Sequence, residues 1–191
     1  MIRGGTEVEG LIIKSDRRYT YADYLKMDDD RDYEVVGGRL IMVPRPRPRH
    51  QKIVGRFFAV LENYFRQTAA GEVYIDVDVL FGDQVVSPDL VVVLKDRLSI
   101  VQETNISGAP DLVVEVLSPS TAKYDRKEKS QLYYDSGVQE YWLVDPSLQL
   151  IEVYERGEKN WNRSGIYDEE DTLISPLLPG LQAALRDIFS E

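Results

Sequence analysis

The sequence predicts an α/β (α+β) domain, and three stretches carry that reading. Residues 90–94 and 112–117 are nearly continuous, valine-rich apolar runs, the pattern of central strands covered on both faces. Residues 50–67 repeat apolar side chains at Ile53, Phe57, Leu61 and Tyr64, flanked by Val54, Phe58 and Phe65, with the 3.6-residue period of a helix. Tyr33–Val36 and Leu40–Val43 flank Gly37-Gly38, whose freedom at positive φ suits a tight hairpin turn.

Taken in order, residues 1–18 lack periodicity and read as a flexible or peripheral N-terminus, with a peripheral strand around residues 11–13. Residues 19–191 then read as one domain, since a chain of 191 residues accommodates one sizeable core. Thr20 and Asp23 have capping-box spacing and start a brief helix that ends before Asp28-Asp29-Asp30. After the hairpin, Arg45-Pro46-Arg47-Pro48-Arg49 is expected to be extended, because each residue before a proline is pushed out of the helical region. It displays three guanidinium groups ahead of the long helix.

Residues 73–81 alternate as a half-buried strand, and Gly82-Asp83 turns the chain towards Val85-Val86. Residues 124–136 predict a helix stopped by Gly137. Residues 140–144 and 150–154 predict a hairpin around Asp145-Pro146-Ser147. Residues 155–172 are polar and turn-rich apart from Trp161 and Ile166, and Leu181, Ala184, Leu185 and Ile188 mark a last amphipathic helix.

Composition narrows the chemistry. There is no cysteine and only His50, which excludes disulfides, thiolate sites and histidine-rich zinc sites, so a metal here is held by oxygen. Met1 to Gly10 hold no apolar core of signal-peptide length, and no run approaches the roughly 20 apolar residues of a membrane span. A cytoplasmic protein without membrane association is expected. The net charge of −10 opposes approach to a polyanion, so a nucleic-acid role requires a local basic surface.

Two carboxylates stand out against this background. Asp89 begins one valine-rich run and Glu115 lies near the end of the other. If the runs are antiparallel neighbours, the two converge. At ~4 Å two such charges repel by about 4 kcal/mol at an effective dielectric near 20. A shared divalent cation or proton relieves that repulsion. Mg²⁺ suits such a pair, because it takes hard oxygen ligands, usually one or two carboxylates, and retains waters. Lys129 is the candidate ammonium, whereas Lys127 lies about 200° around a helix from it. Asp111 shares a strand face with Glu115 but sits about 13 Å along the strand, and is left out. Tyr133, Tyr134, Tyr141 and Trp142 read as core and sheet-cover residues.

Asp89 in Pro-Asp, followed by Glu115 in an apolar strand, resembles the PD-(D/E)XK nuclease core. The longer string Pro110-Asp111-Leu-Val-Val-Glu115-Val-Leu-Ser-Pro-Ser-Thr121, then Asp125-Arg126, Lys129, Tyr133, Gly137-Val138 and Glu140-Tyr141-Trp142-Leu143-Val144-Asp145-Pro146, resembles the Uma-two family of restriction-endonuclease-like proteins. The resemblance runs from about Tyr19 to Tyr154.

It implies a restriction-endonuclease-like mixed β-sheet flanked by helices, with an N-terminal β-hairpin, and an endonuclease hydrolysing DNA phosphodiesters with Mg²⁺, or Mn²⁺ in its place. Asp89 and Glu115 become the metal ligands, and Glu34 a contributing acid from the early hairpin. The usual lysine two residues after the glutamate is absent, since Leu117 stands there, and Lys129 on the following helix is its implied replacement. His50 is a candidate proton carrier or phosphate contact, and Arg45, Arg47 and Arg49 are candidate nucleic-acid contacts. A homodimer would place one site at each strand of a duplex. The alternative is a non-catalytic binding or assembly module that keeps the nuclease fold and retains the acids as a structural polar cluster.

Overall fold

The structure, a computed structural model, describes residues 8–9, 12–13 and 17–190. The expected flexible terminus falls largely outside these residues. The two N-terminal segments that are described form short paired strands, β1 (Val8–Glu9) and β2 (Ile12–Ile13). The capping box is present: the Asp23 amide donates to the Thr20 hydroxyl at 3.3 Å, and the Thr20 amide to the Asp23 carboxylate at 3.1 Å, opening α1 (Tyr21–Tyr24). The glycine hairpin joins β3 (Asp32–Val36) and β4 (Arg39–Val43), with Gly37 and Gly38 both at positive φ.

The long helix α2 (Pro48–Thr68) begins two residues earlier than its apolar period suggested. Pro48 and Arg49 are therefore helical rather than part of an extended connector. Proline suits the first turn because its φ is already helical and its missing N–H has no intrahelical acceptor there. Arg45 and Arg47 remain outside the helix. Ile53, Val54, Phe57, Leu61 and Phe65 form the buried stripe, with Tyr64 only half-buried.

The alternation over residues 73–81 does not make one strand. It divides into β5 (Gly71–Ile75) and β6 (Val79–Phe81), which belong to different sheets. The break lies at Asp76, at φ 47°, a left-handed conformation that aspartate tolerates better than most residues. β7 (Gln84–Val86), β8 (Leu90–Leu94), a 3-10 helix (Lys95–Ile100), β9 (Ile106–Ser107) and β10 (Leu112–Val116) follow.

Next comes one continuous helical segment: α3 (Ala122–Tyr124), a π-helical turn (Asp125–Lys129) and α4 (Ser130–Ser136), stopped by Gly137 at φ 103°. β11 (Glu140–Asp145) and β12 (Leu150–Arg156) form the expected hairpin. Residues 155–172, expected as turns, contain β13 (Trp161–Tyr167), an edge strand whose exposed side lacks an apolar period. The last amphipathic stretch divides into β15 (Ala183–Ala184), paired with β14 (Thr172–Leu173), and the short α5 (Leu185–Phe189).

The main sheet runs β13-β12-β11-β10-β8-β5; β10 and β11 are parallel and its other pairs antiparallel. Both valine-rich strands are interior, as expected. Alternate residues feed two cores. Leu90, Val92, Leu112 and Val114 meet α2 and the C-terminal segment, whereas Val91, Val93 and Val113 meet α4 and the second sheet. That second sheet runs β1-β2-β4-β3-β7-β6-β9. The mixed main sheet, with α2 on one face and α4 on the other, and the second sheet that carries the early hairpin make the helix-flanked α/β architecture that was expected. No helix among the described residues is long and apolar enough to cross a membrane.

Candidate active site

The register of β8 on β10 sets the site. Leu90 lies opposite Val114, so Asp89 and Glu115 are the next opposed positions along an antiparallel pair. A carboxylate oxygen of Asp89 also accepts the Val116 amide at 2.7 Å, which fixes it at the end of the β10 ladder. Its other oxygen is 2.8 Å from His50 Nε2, presented by the first turn of α2.

Glu115 shares a strand face with Val113, and there it meets the helical segment. Asp125, Lys129 and Tyr133 follow one another at four-residue spacing, and all three are buried against the sheet. Lys129 Nζ lies 2.6 Å from Glu115 Oε1, 3.0 Å from Glu34 Oε1 and 3.9 Å from Asp125. The Tyr133 hydroxyl donates to the same Glu115 oxygen at 2.5 Å. Glu34 comes from the second sheet: Tyr33 and Val35 turn into a separate cluster, while Val36, on the phase of Glu34, faces the central sheet. Its carboxylate accepts Tyr124 OH at 2.9 Å and the Ser87 amide at 3.0 Å.

Three carboxylates thus surround one ammonium. Burial disfavours charged Lys129, but Glu115 and Glu34 outweigh it and hold its pKa well above the lysine range. For Glu115 burial dominates over the attraction of Lys129 and pushes its carboxyl upward. Asp125 is raised to about 6, again chiefly by burial. His50 is drawn the other way: burial lowers its pKa, yet the Asp89 hydrogen bond and charge prevail and raise it above 6.5. Tyr124 and Tyr133 are pushed well up by burial and neighbouring carboxylates, so they serve as donors.

These groups line a cavity of about 960 Å³. Every side chain nominated from the sequence lies on it: Glu34, His50, Asp89, Glu115 and Lys129, together with Arg45, Arg47 and Arg49. Asp111 does not. It is buried in a structural role, accepting from the Leu94 amide at 2.8 Å and from Arg97 at 2.7 Å. Lys127 is exposed on the other side of the helix.

Three members were missed from the sequence: Asp125, Tyr124 and the hydroxyl of Tyr133. Asp125 is followed by Arg126, Lys127 and Glu128, so composition alone reads it as one of a run of solvated charges. The usable signal was the spacing Asp125, Lys129, Tyr133, which puts one acid, one base and one phenol on a single helical face. A π-turn lies at this point, and such turns occur often at functional sites.

The chain matches the Uma2 family profile, described as "Putative restriction endonuclease", over residues 21–186. The chain belongs to the Uma2 family. A crystal structure from Anabaena variabilis, of a protein described as "a putative nuclease belonging to DUF820", superposes with a TM-score of 0.75 at 23% identity. That match covers 90% of this chain and 97% of the Anabaena one, and carries the fold. A Synechocystis protein, slr1290, described as uncharacterized, is 42% identical over 65 residues, 34% of this chain and 32% of its own length. The matched region is thus about a third of that relative. Family and fold together support a nuclease-like function in general terms.

The donor set can be tested against a metal on its own chemistry. No group of three His, Cys, Asp or Glu side chains among the described residues is arranged to hold an ion. What Asp89 and Glu115 offer is an opposed pair of hard carboxylates. Glu115 Oε2 carries no hydrogen bond from a described residue. Two carboxylates with the remaining positions left to water fit Mg²⁺, which seldom uses an all-protein cage, and do not fit a fully protein-ligated ion.

Proposed function

We propose that this Uma2 chain is a Mg²⁺-dependent endonuclease that hydrolyses DNA phosphodiester bonds. The observation that carries the reading is the convergence, in one cavity, of the opposed pair Asp89 and Glu115 with a buried ammonium 2.6 Å from Glu115. Asp89 and Glu115 would hold the cation, with Mn²⁺ as a substitute. When bound, it would polarise the phosphoryl oxygens and lower the pKa of the attacking water.

The chain's own residues do the rest. Lys129, kept protonated by its carboxylates, orients the nucleophile and counters charge developing on the phosphoryl oxygens. Glu34, anchored by Tyr124 and Ser87, accepts a hydrogen bond from the attacking water and holds Lys129 in register. His50, presented by the first turn of α2 with Nε2 2.8 Å from Asp89, is the proton carrier. The side chains of Arg45, Arg47 and Arg49 have no ion pair or hydrogen bond to a described residue and contact the phosphate backbone.

One observation favours the alternative of a non-catalytic binding or assembly module: Lys129 is already matched by three carboxylates, as a structural cluster would be. The experiment is nicking of plasmid DNA in Mg²⁺ or Mn²⁺, with Asp89→Asn and Glu115→Gln as variants. Loss of nicking in both, with unchanged circular dichroism, is expected. Undiminished nicking in both overturns the site assignment, and absence of Mg²⁺ binding by calorimetry selects the module.

A further inference from the structure

Two of the five large apolar side chains that stay exposed among the described residues, Leu25 at 64% and Ile75 at 41%, line the same cavity as Asp89 and Glu115. Tyr24, stacked on Tyr21 with ring centroids 5.9 Å apart, lines it as well. Arg45, Arg47 and Arg49 share it, without salt-bridge partners among the described residues. Of the proposed reacting groups, Glu115, Lys129 and Glu34 lie deepest, their side chains 5%, 5% and 2% exposed, with His50 at 14% and Asp89 at 21% nearer the opening.

Resting on the nuclease reading, we infer that the cavity takes single-stranded DNA, its backbone against the three arginines and its unstacked bases against Tyr24, Leu25 and Ile75. The depth of the site is one reason. A phosphodiester within an intact duplex rides on a rod with a persistence length of about 150 bp, and bending a site into a recess carries an elastic cost. A single strand turns at each nucleotide without that cost. Charge is the second reason. A protein that reads a duplex can contact about 6–10 phosphates, whereas this cavity offers three guanidinium groups without partners among the described residues, beside seven lining carboxylates, on a chain of net charge −10. The apolar rim is the third. In a duplex the base faces are stacked away from the protein, but in a single strand they are free to lie on aromatic and aliphatic side chains.

The test is fluorescence anisotropy in EDTA with the intact chain. The probes are a labelled oligothymidylate of about 15 nucleotides, near the upper site size of single-strand binders, and a blunt duplex of equal length. The single strand is expected to bind at least about tenfold more tightly. Leu25→Ser and Ile75→Ser, both at exposed positions, are each expected to weaken single-strand binding by about five- to tenfold and to leave duplex binding unchanged. Equal affinity for both probes, or unaltered single-strand binding in both variants, overturns the inference. The two proposals fail separately. Cleavage of linear duplex as fast as of single strands keeps the nuclease and removes the single-strand preference. Tight, Leu25-dependent single-strand binding without any cleavage does the reverse.

Discussion

Asp125 is held at a cost that can be read directly. Its carboxyl is buried, its near cation is Lys129 at 3.9 Å, and burial dominates, raising its pKa from 3.8 to about 6. The sign follows from counting protons. Below pH 3.8 folded and unfolded chains both carry the proton and Asp125 contributes no penalty. Between 3.8 and about 6 the folded chain keeps a proton that the unfolded chain has lost, so stability falls as pH rises. Above that window both are ionised and the penalty is constant, about 3 kcal/mol at about 1.4 kcal/mol per tenfold in the ionisation constant. Asparagine stands in for the neutral acid. Asp125→Asn is therefore expected to be more stable than the parent by about 3 kcal/mol near pH 7, with the gain vanishing near pH 4. Urea unfolding in EDTA across that range measures it. A variant no more stable at neutral pH, or a difference that does not change with pH, refutes the argument that burial governs this carboxyl. The predicted gain is a large share of a domain's net stability of about 5–15 kcal/mol, and its forfeiture by the native residue is the pattern of a group retained for function.

Lys129→Met removes the ammonium and leaves Glu34, Glu115 and Asp125 facing one another out of water. A loss of about 3–5 kcal/mol is expected in urea unfolding at neutral pH, smaller in acid as the carboxylates take up protons; a loss under about 1 kcal/mol would contradict the ion cluster. Gly71→Ala places a methyl 2.6 Å from the Val93 carbonyl oxygen and 3.0 Å from Leu94 Cα, both backbone atoms of the adjoining strand. A drop of about 1–3 kcal/mol is expected from thermal melting, and an unchanged melting temperature would show that the β5 edge yields freely.

What was legible in the sequence depended on whether the signal was local or periodic. The capping box, the Gly37-Gly38 hairpin and the buried valine runs each declare themselves within a few residues, and each formed as read. The split at Asp76 did not show, because Asp76 and Asp78 fall on the polar phase of the alternation and leave its period intact while the backbone crosses between sheets. β13 was hidden for the opposite reason: as an edge strand it exposes Asn162, Arg163 and Ser164 with only Ile166 apolar among its exposed residues, and its pairing with β12 makes it a strand. Within the site, Asp89 and Glu115 were visible as charges at the margins of apolar runs. Asp125 was not, because Arg126, Lys127 and Glu128 follow it, and only helical phase separates the buried member from its solvated neighbours.

Leu117 shows why the ammonium had to come from elsewhere. It lies two residues after Glu115, one position past the end of β10, and though it borders the cavity its side chain is buried in the apolar cluster with Leu132, Tyr133 and Val138. A lysine there would have to carry its charge out of that cluster. Lys129 reaches the same carboxylate from the helical segment, its Nζ 5.8 Å from the centroid of the Tyr124 ring. Once supplied from the helix, the ammonium is tied to β10 through Glu115, to β3 of the other sheet through Glu34, and to its own π-turn through Asp125. Its position is thus a property of how two sheets and a helix pack. A strand-borne lysine would be set by its strand alone, whereas this one also registers the separation of the sheets, so a perturbation that parts β3 from β10 pulls on the proposed reacting group directly.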